Sequence, residues 1–110
     1  MGYENFSPLS HTTVTPTGSS LATKIPGIDG ARDASNNAPN TFKKPNKVRI
    51  VCTGGQAAIR LCMSDGVAVV TDPVVIANSD QVFSIGSFTH IAHIIDASTP
   101  VLEITSGWGN

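Results

Sequence analysis

From Lys47 onward, apolar and polar side chains alternate in short runs broken by turn chemistry. Lys47–Thr53 sets Val48, Ile50 and Cys52 on one face and Arg49, Val51 and Thr53 on the other, the period of two of a half-buried strand. Gln56–Ser64 repeats the pattern, with Ala57, Ile59, Leu61 and Met63 against Ala58, Arg60 and Cys62. Between them, Gly54-Gly55 predicts a tight hairpin. Asp65-Gly66 predicts the next turn, and further strands are expected at Val67–Val70, Val74–Ile76, Gln81–Ile85, Thr89–Ile95 and Val101–Thr105. Breaks fall at Asp72-Pro73, Ala77–Asp80 and Ala97–Pro100. Short strands rich in Val and Ile, with no window of helical period, predict an all-β antiparallel sandwich or barrel over residues 47–110.

Residues 1–46 read differently. Five of the seven prolines lie here (Pro8, Pro16, Pro26, Pro39 and Pro45), amid Ser, Thr, Asn and Gly. Each proline lacks the N–H that a helix or central strand requires, so an extended, irregular N-terminal arm is expected. Apolar residues recur singly along it, among them Phe6, Leu9, Leu21, Ile25, Ile28 and Phe42. A plain linker has no use for such anchors. An arm that docks into grooves on neighbouring molecules does, with its ordering entropy charged against binding. A disordered linker, or packing over the chain's own β domain, are the alternatives.

Size and charge narrow the function. At 110 residues the chain has room for one compact domain. The β region spans about 64 residues, and a domain of that size buries only about 60% of its unfolded surface. Support is therefore expected from the arm, from self-association or from a partner. Charged residues make up 14% of the chain and net charge is −1, against roughly 25% charged residues in ordinary soluble domains. So weak a charge does not suit nucleic acid, which selects basic surfaces. It suits a surface covered by protein. MGYENFSPLS offers neither a basic segment nor an apolar run, so no secretory signal is expected, and no stretch reaches the ~20 apolar residues of a membrane helix.

The reactive side chains offer no chemistry. A hairpin at Gly54-Gly55 would oppose Ile50 to Ile59 and leave Cys52 and Cys62 on opposite faces. Their Cβ vectors would diverge, so two free thiols are expected, Cys52 as a small core residue. His90 and His93, three apart on a strand, face opposite ways and make a poor metal pair. No nucleophile elbow, phosphate loop or paired carboxylate is present, so no catalytic residue, metal or cofactor is assigned. In the hairpin register Arg49 would stand across from Arg60, either splayed into solvent or meeting partner carboxylates. Trp108, between Gly107 and Gly109, is either a plug for the core or an exposed contact.

An arm, a strand–glycine–strand unit (VRIVCTGGQAAIRLCMS), Asp72-Pro73 with a valine run, Gln81-Val82-Phe83, Thr89–Ile94 and a terminal Gly107-Trp108-Gly109 together form a pattern. It resembles the small decoration proteins, also called cement or staple proteins, of short-tailed double-stranded-DNA bacteriophages. The resemblance covers roughly residues 47–109. It implies a jelly-roll-like sandwich on the outer capsid surface, bridging adjacent major capsid protein subunits, with the arm reaching across the shell. Made in the host cytoplasm, such a protein would stabilise the virion against internal DNA pressure. The β region is short for eight strands, which makes Thr12–Thr15 or Leu21–Ile25 the candidates to supply one. Partner-binding residues on this reading are Phe6, Leu9, Leu21, Ile25, Ile28, Phe42, Arg49, Arg60 and Trp108. A homo-oligomer is expected, because so small a domain leaves strand edges open. Alternatives are a carbohydrate- or receptor-binding module of a fibre or spike, and a head–tail connector component. The first would need an exposed aromatic platform, and the second would differ in copy number.

Overall fold

The alternating run that starts at Lys47 does not turn back at Gly54-Gly55. In the computed structural model, which describes residues 6–28 and 44–109, it continues as one strand, β3 (Lys47–Cys62). The later runs expected at Thr89–Ile95 and Val101–Thr105 likewise fuse into β6 (His90–Trp108). Around this pair stand β1 (Ser7–Val14), β2 (Leu21–Lys24), β4 (Val74–Val75) and β5 (Ser79–Ser84). All pairings are antiparallel, and no helix occurs among the described residues. The expected strand at Val67–Val70 is instead loop, held by the side chain of Asp72 and by Ser20.

At about 3.3 Å per residue, sixteen straight residues would span about 53 Å. The longest dimension of the molecule is 42 Å. The long strands must therefore bend, and the sequence marks where. Gly54 has φ +79°, and Ser98, the partner of the neighbouring Gly55 on β6, has φ +60°. The β3–β6 register slips between Thr53 and Gly55 and again between Gln56 and Ala57. A β-carbon at Gly55 would lie 2.8 Å from the Thr99 nitrogen and 2.9 Å from the Pro100 nitrogen, so the bend of β6 presses where only glycine fits. The glycine pair makes a bulge, not a hairpin, because β6 supplies a partner for the whole of β3. Ile50 pairs with Ile104 and Ile59 with His93, in place of the expected pairing of Ile50 with Ile59.

The bend divides the sheet into two halves that share β3 and β6. The first half has the order β1–β6–β3–β5, using Lys47–Thr53 and Val101–Trp108. The second half has the order β2–β6–β3–β4, using Ala57–Cys62 and His90–Ile95. Both halves turn their apolar face to one core. Val48, Ile50, Cys52, Leu102 and Ile104 come from the first, Ala57, Ile59, Ile91 and Val75 from the second, and Ile85 from the β5–β6 connection. The inward residues of β3 are even-numbered before Gly54-Gly55 and odd-numbered after it, a change of phase at the irregularity, where β6 carries an extra residue at each of the two slips. The result is an all-β, jelly-roll-like antiparallel sandwich made of one folded sheet.

The proline-rich segment takes part in this sheet. β1 pairs with the C-terminal half of β6 and β2 with its N-terminal half, so the segment closes one edge of both halves. Ile25 and Ile28 are buried in the core beside Ile50 and Ile91. Pro26 supplies its carbonyl to the buried hydroxyl of Ser106, and the Ile25 amide donates to the Thr89 carbonyl at 2.9 Å. Pro8 lies on the edge strand β1, where its missing N–H does no harm.

Candidate functional site

The two halves present different outer surfaces. On the first half the outward residues are mostly polar and satisfy one another across strands, with Val51 and Val82 as apolar exceptions. His11 and Thr13 on β1 both bond Glu103 on β6, at 2.7 and 2.8 Å. The other ring nitrogen of His11 lies 2.9 Å from the Thr105 hydroxyl. The Thr13 hydroxyl first, and His11 after it, hold the Glu103 carboxyl below its usual value. Arg49 on β3 donates through Nε and Nη2 to one Asp80 oxygen on β5, at 3.0 and 2.5 Å. Lys47 donates to the Ser84 hydroxyl. This face is a hydrated lattice of local pairs.

On the second half the outward positions carry Ala58, Cys62, Ala92 and Ile94, which need cover. The loop after β3 lies over them, and Ala68, Cys62, Ala92 and Ile94 form a second small cluster. The Ala68 amide donates to Ser20 Oγ at 2.8 Å, tying this loop to the N-terminal segment. Asp72 anchors its far end. One carboxylate oxygen accepts from the Val69 amide at 2.9 Å and the other from Arg60 at 3.0 Å. The Val69 amide and the Arg60 guanidinium hold the Asp72 carboxyl below its usual value. Covering the sheet moves apolar surface outward by one layer. Val67 and Val70 are 57% and 56% exposed, and Met63, Val69 and Ile76 are also open to solvent. Among the described residues, five of the eight exposed large hydrophobics thus fall within residues 63–76. Beside them a cleft of about 220 Å³ is lined by Ile59, Leu61, Pro73 and Phe83, with the Arg60–Asp72 pair at its edge. Ligand pockets usually run about 300–1,000 Å³, so this cleft suits one inserted side chain better than a cofactor.

The expected partner-binding residues scatter over this framework. Arg49 and Arg60 do not oppose each other; the continuous β3 puts them in different halves, each beside its own carboxylate. Ile25 and Ile28 lie in the chain's own core, so a partner could reach them only if the segment lifted. Leu21 sits on β2, 46% exposed. Phe6 is partly buried, and Leu9 lies at the β1 irregularity between Pro8 and Ser10. Trp108 is half-buried at the end of β6, opposite Ser7, with Nε1 donating to the Lys44 carbonyl at 3.2 Å. Phe42 lies outside the described residues. The alternation pattern missed the apolar loop because Val67–Val70 reads as a strand; the signal available was the Asp65-Gly66 and Asp72-Pro73 punctuation enclosing so short a run.

Cys52 and Cys62 are free thiols on opposite faces, one in each cluster, and burial raises both pKa values. His90 and His93 likewise point to opposite faces, His93 into the core. Among the described residues no three His, Cys, Asp or Glu side chains converge to hold a metal ion.

No family model matches the chain, and no curated protein does. Solved structures share its trace at low identity. The SPBc2 prophage-derived protein YomS is 10% identical, with 92% of this chain and 96% of that one covered at a TM-score of 0.49. A Tobacco streak virus coat protein dimer is 13% identical, with coverage of 89% and 86% and a TM-score of 0.42. A protein of Bacillus endospore appendages, which form disulfide-linked pili, is 14% identical, with coverage of 96% and 90% and a TM-score of 0.43. At these identities and scores the likeness carries no inference about what the chain binds.

Proposed function

We propose that this chain is a structural component of a phage particle that decorates the capsid, bridging adjacent major capsid protein subunits from the outer surface. The observation that carries the binding role is the exposed valine-rich loop over the second half-sheet. In a chain with 14% charged residues, five open hydrophobics within residues 63–76 make a contact surface, and such patches mark protein–protein sites. The cleft beside the loop supplies a place for one anchoring side chain of the partner. The capsid as that partner rests on the sequence pattern, from the Pro-rich segment through Gly107-Trp108-Gly109.

The test is co-sedimentation of the purified full chain with capsids that lack it. Saturable binding in many copies per particle is expected, reduced at least tenfold by Val67→Asp with Val70→Asp, two exposed changes that leave the core intact. A folded wild-type chain that never associates with capsids would overturn the reading. Removing residues 1–46 is a poor test, since it strips two strands and two core isoleucines.

A further inference from the structure

His93 is the feature that neither the fold nor the proposed contact surface uses. It lies in the second half-sheet, 1% exposed, opposite Ile59 on β3 and Leu21 on β2. Its Nε2 lies 2.8 Å from the hydroxyl of Thr23 on β2. Its Nδ1 is buried with no hydrogen-bond partner. A neutral ring tolerates this, because one nitrogen can remain a bare acceptor. An imidazolium cannot: it adds a second N–H donor and a full charge where nothing accepts either.

We propose that β2 is a proton-opened strap: protonation of His93 releases Leu21–Lys24 from the edge of β6 while Ile25 and Ile28 stay seated in the core. Among the described residues no charged group stands ready to neutralise the ring. On β2, Lys24 is opposite His90 of β6, and both belong to the reverse face. On β3, Arg60 also faces away and is paired with Asp72. Asp96, beyond Ile95, is exposed and accepts from Gln56. Within the core, among the described residues, the other titratable group is Cys52, whose thiol donates to the Gly55 carbonyl. Burial alone lowers the His93 pKa.

β2 is the element that yields. β3 meets this half of β6 over six consecutive residues, from Ala57 to Cys62, whereas β2 contributes four, three of them exposed. Lifting β2 therefore uncovers little apolar surface. Its flanks are pinned, upstream by the buried Pro16 and by Thr17, whose carbonyl accepts from the Ile95 amide at 2.9 Å, and downstream by Ile25. Opening leaves the backbone of His90–His93 as an unpaired sheet edge, a template for an added strand. The device belongs to the chain's own fold and stands whether or not the partner is a capsid.

The experiment is a pH titration of the full chain by NMR, with amide hydrogen exchange corrected for its intrinsic pH dependence. Between about pH 7.5 and about pH 5, the amides of Leu21, Thr23, Ile91 and His93, which face one another across β2 and β6, should lose protection by up to about tenfold per unit separating the open and closed His93 pKa values, while Ala92, which faces β3, and Ile50 and Ile104 hold. His93→Leu should abolish that local loss. Should His93→Leu fail to fold, the wild-type ring resonances decide alone. A His93 titrating at its ordinary value, unchanged protection of β2, or an equal acid loss in His93→Leu would each overturn the proposal.

Discussion

The two halves of the folded sheet share the same two long strands and the same core, yet they solve the problem of an outer face in opposite ways. The first half gives most of its outward positions to polar residues such as Lys47, Arg49, Glu103 and Thr105, each meeting a complementary group on β1 or β5, so that Val51 and Val82 interrupt a mainly polar surface. The second half puts Ala58, Cys62, Ala92 and Ile94 outward and must be roofed by a loop whose own valines then face solvent. The difference shows how a chain this small can hold one face inert and leave the other adhesive. Polar cross-strand pairs end a surface, whereas an apolar roof passes the unburied area on to whatever binds next.

The comparison breaks most severely if the shared core is not shared. Ile50→Ala in the first half and Ile59→Ala in the second should each cost about 2–5 kcal/mol. Both should shift one common denaturant transition; two separate transitions would show that the halves fold independently. Next in size is the hinge between them. Gly55→Val forces a side chain against the β6 backbone and should cost at least about 1–3 kcal/mol in thermal or chemical unfolding.

Acid should act on the halves unequally. Because the folded His93 pKa lies below the unfolded value near 6.5, the native state binds fewer protons there. Its contribution is complete above pH 6.5 and is lost as pH falls from that value towards the lowered folded one. His93→Leu should flatten stability against pH in that window. Asp72 and Glu103, with lowered pKa values, lose their contributions at more acid pH, below the unfolded carboxylate values.

The outer faces differ least in stability and most in binding. Val70→Asp, on the roof of the second half, should change unfolding free energy by no more than about 0.5 kcal/mol yet weaken partner association at least tenfold. Val82→Asp, also exposed but on β5 of the first half, should do neither. The smallest effect is expected for Arg49→Ala, an exposed ion pair lost, at no more than about 1 kcal/mol. A large loss there would mean that the polar face also bears a partner.

Alternation alone determined that this protein is all-β and which residues share a face within each run, Val48, Ile50 and Cys52 in one and Ala57, Ile59 and Leu61 in the other. That the two runs face one core, with Cys52 and Cys62 on opposite sides, depends on the change of phase at Gly54-Gly55, which a hairpin or a bulge there would each supply and an unbroken strand would not. Pairing itself is a tertiary matter. Gly54-Gly55 reads equally well as a hairpin turn or as a bulge, and only the presence of a full-length partner in β6 selects the bulge. The same holds for Arg49 and Arg60, which a hairpin would oppose and a continuous strand separates. Ile25 and Ile28 look like anchors for a neighbour in a proline-rich segment, and the fold places them in the chain's own core. Their sequence says that they must be buried; it carries no address for where. His93 shows the same division. Its odd spacing from His90 guarantees opposite faces, but its burial beside Thr23 arises because β2, distant in sequence, closes over it.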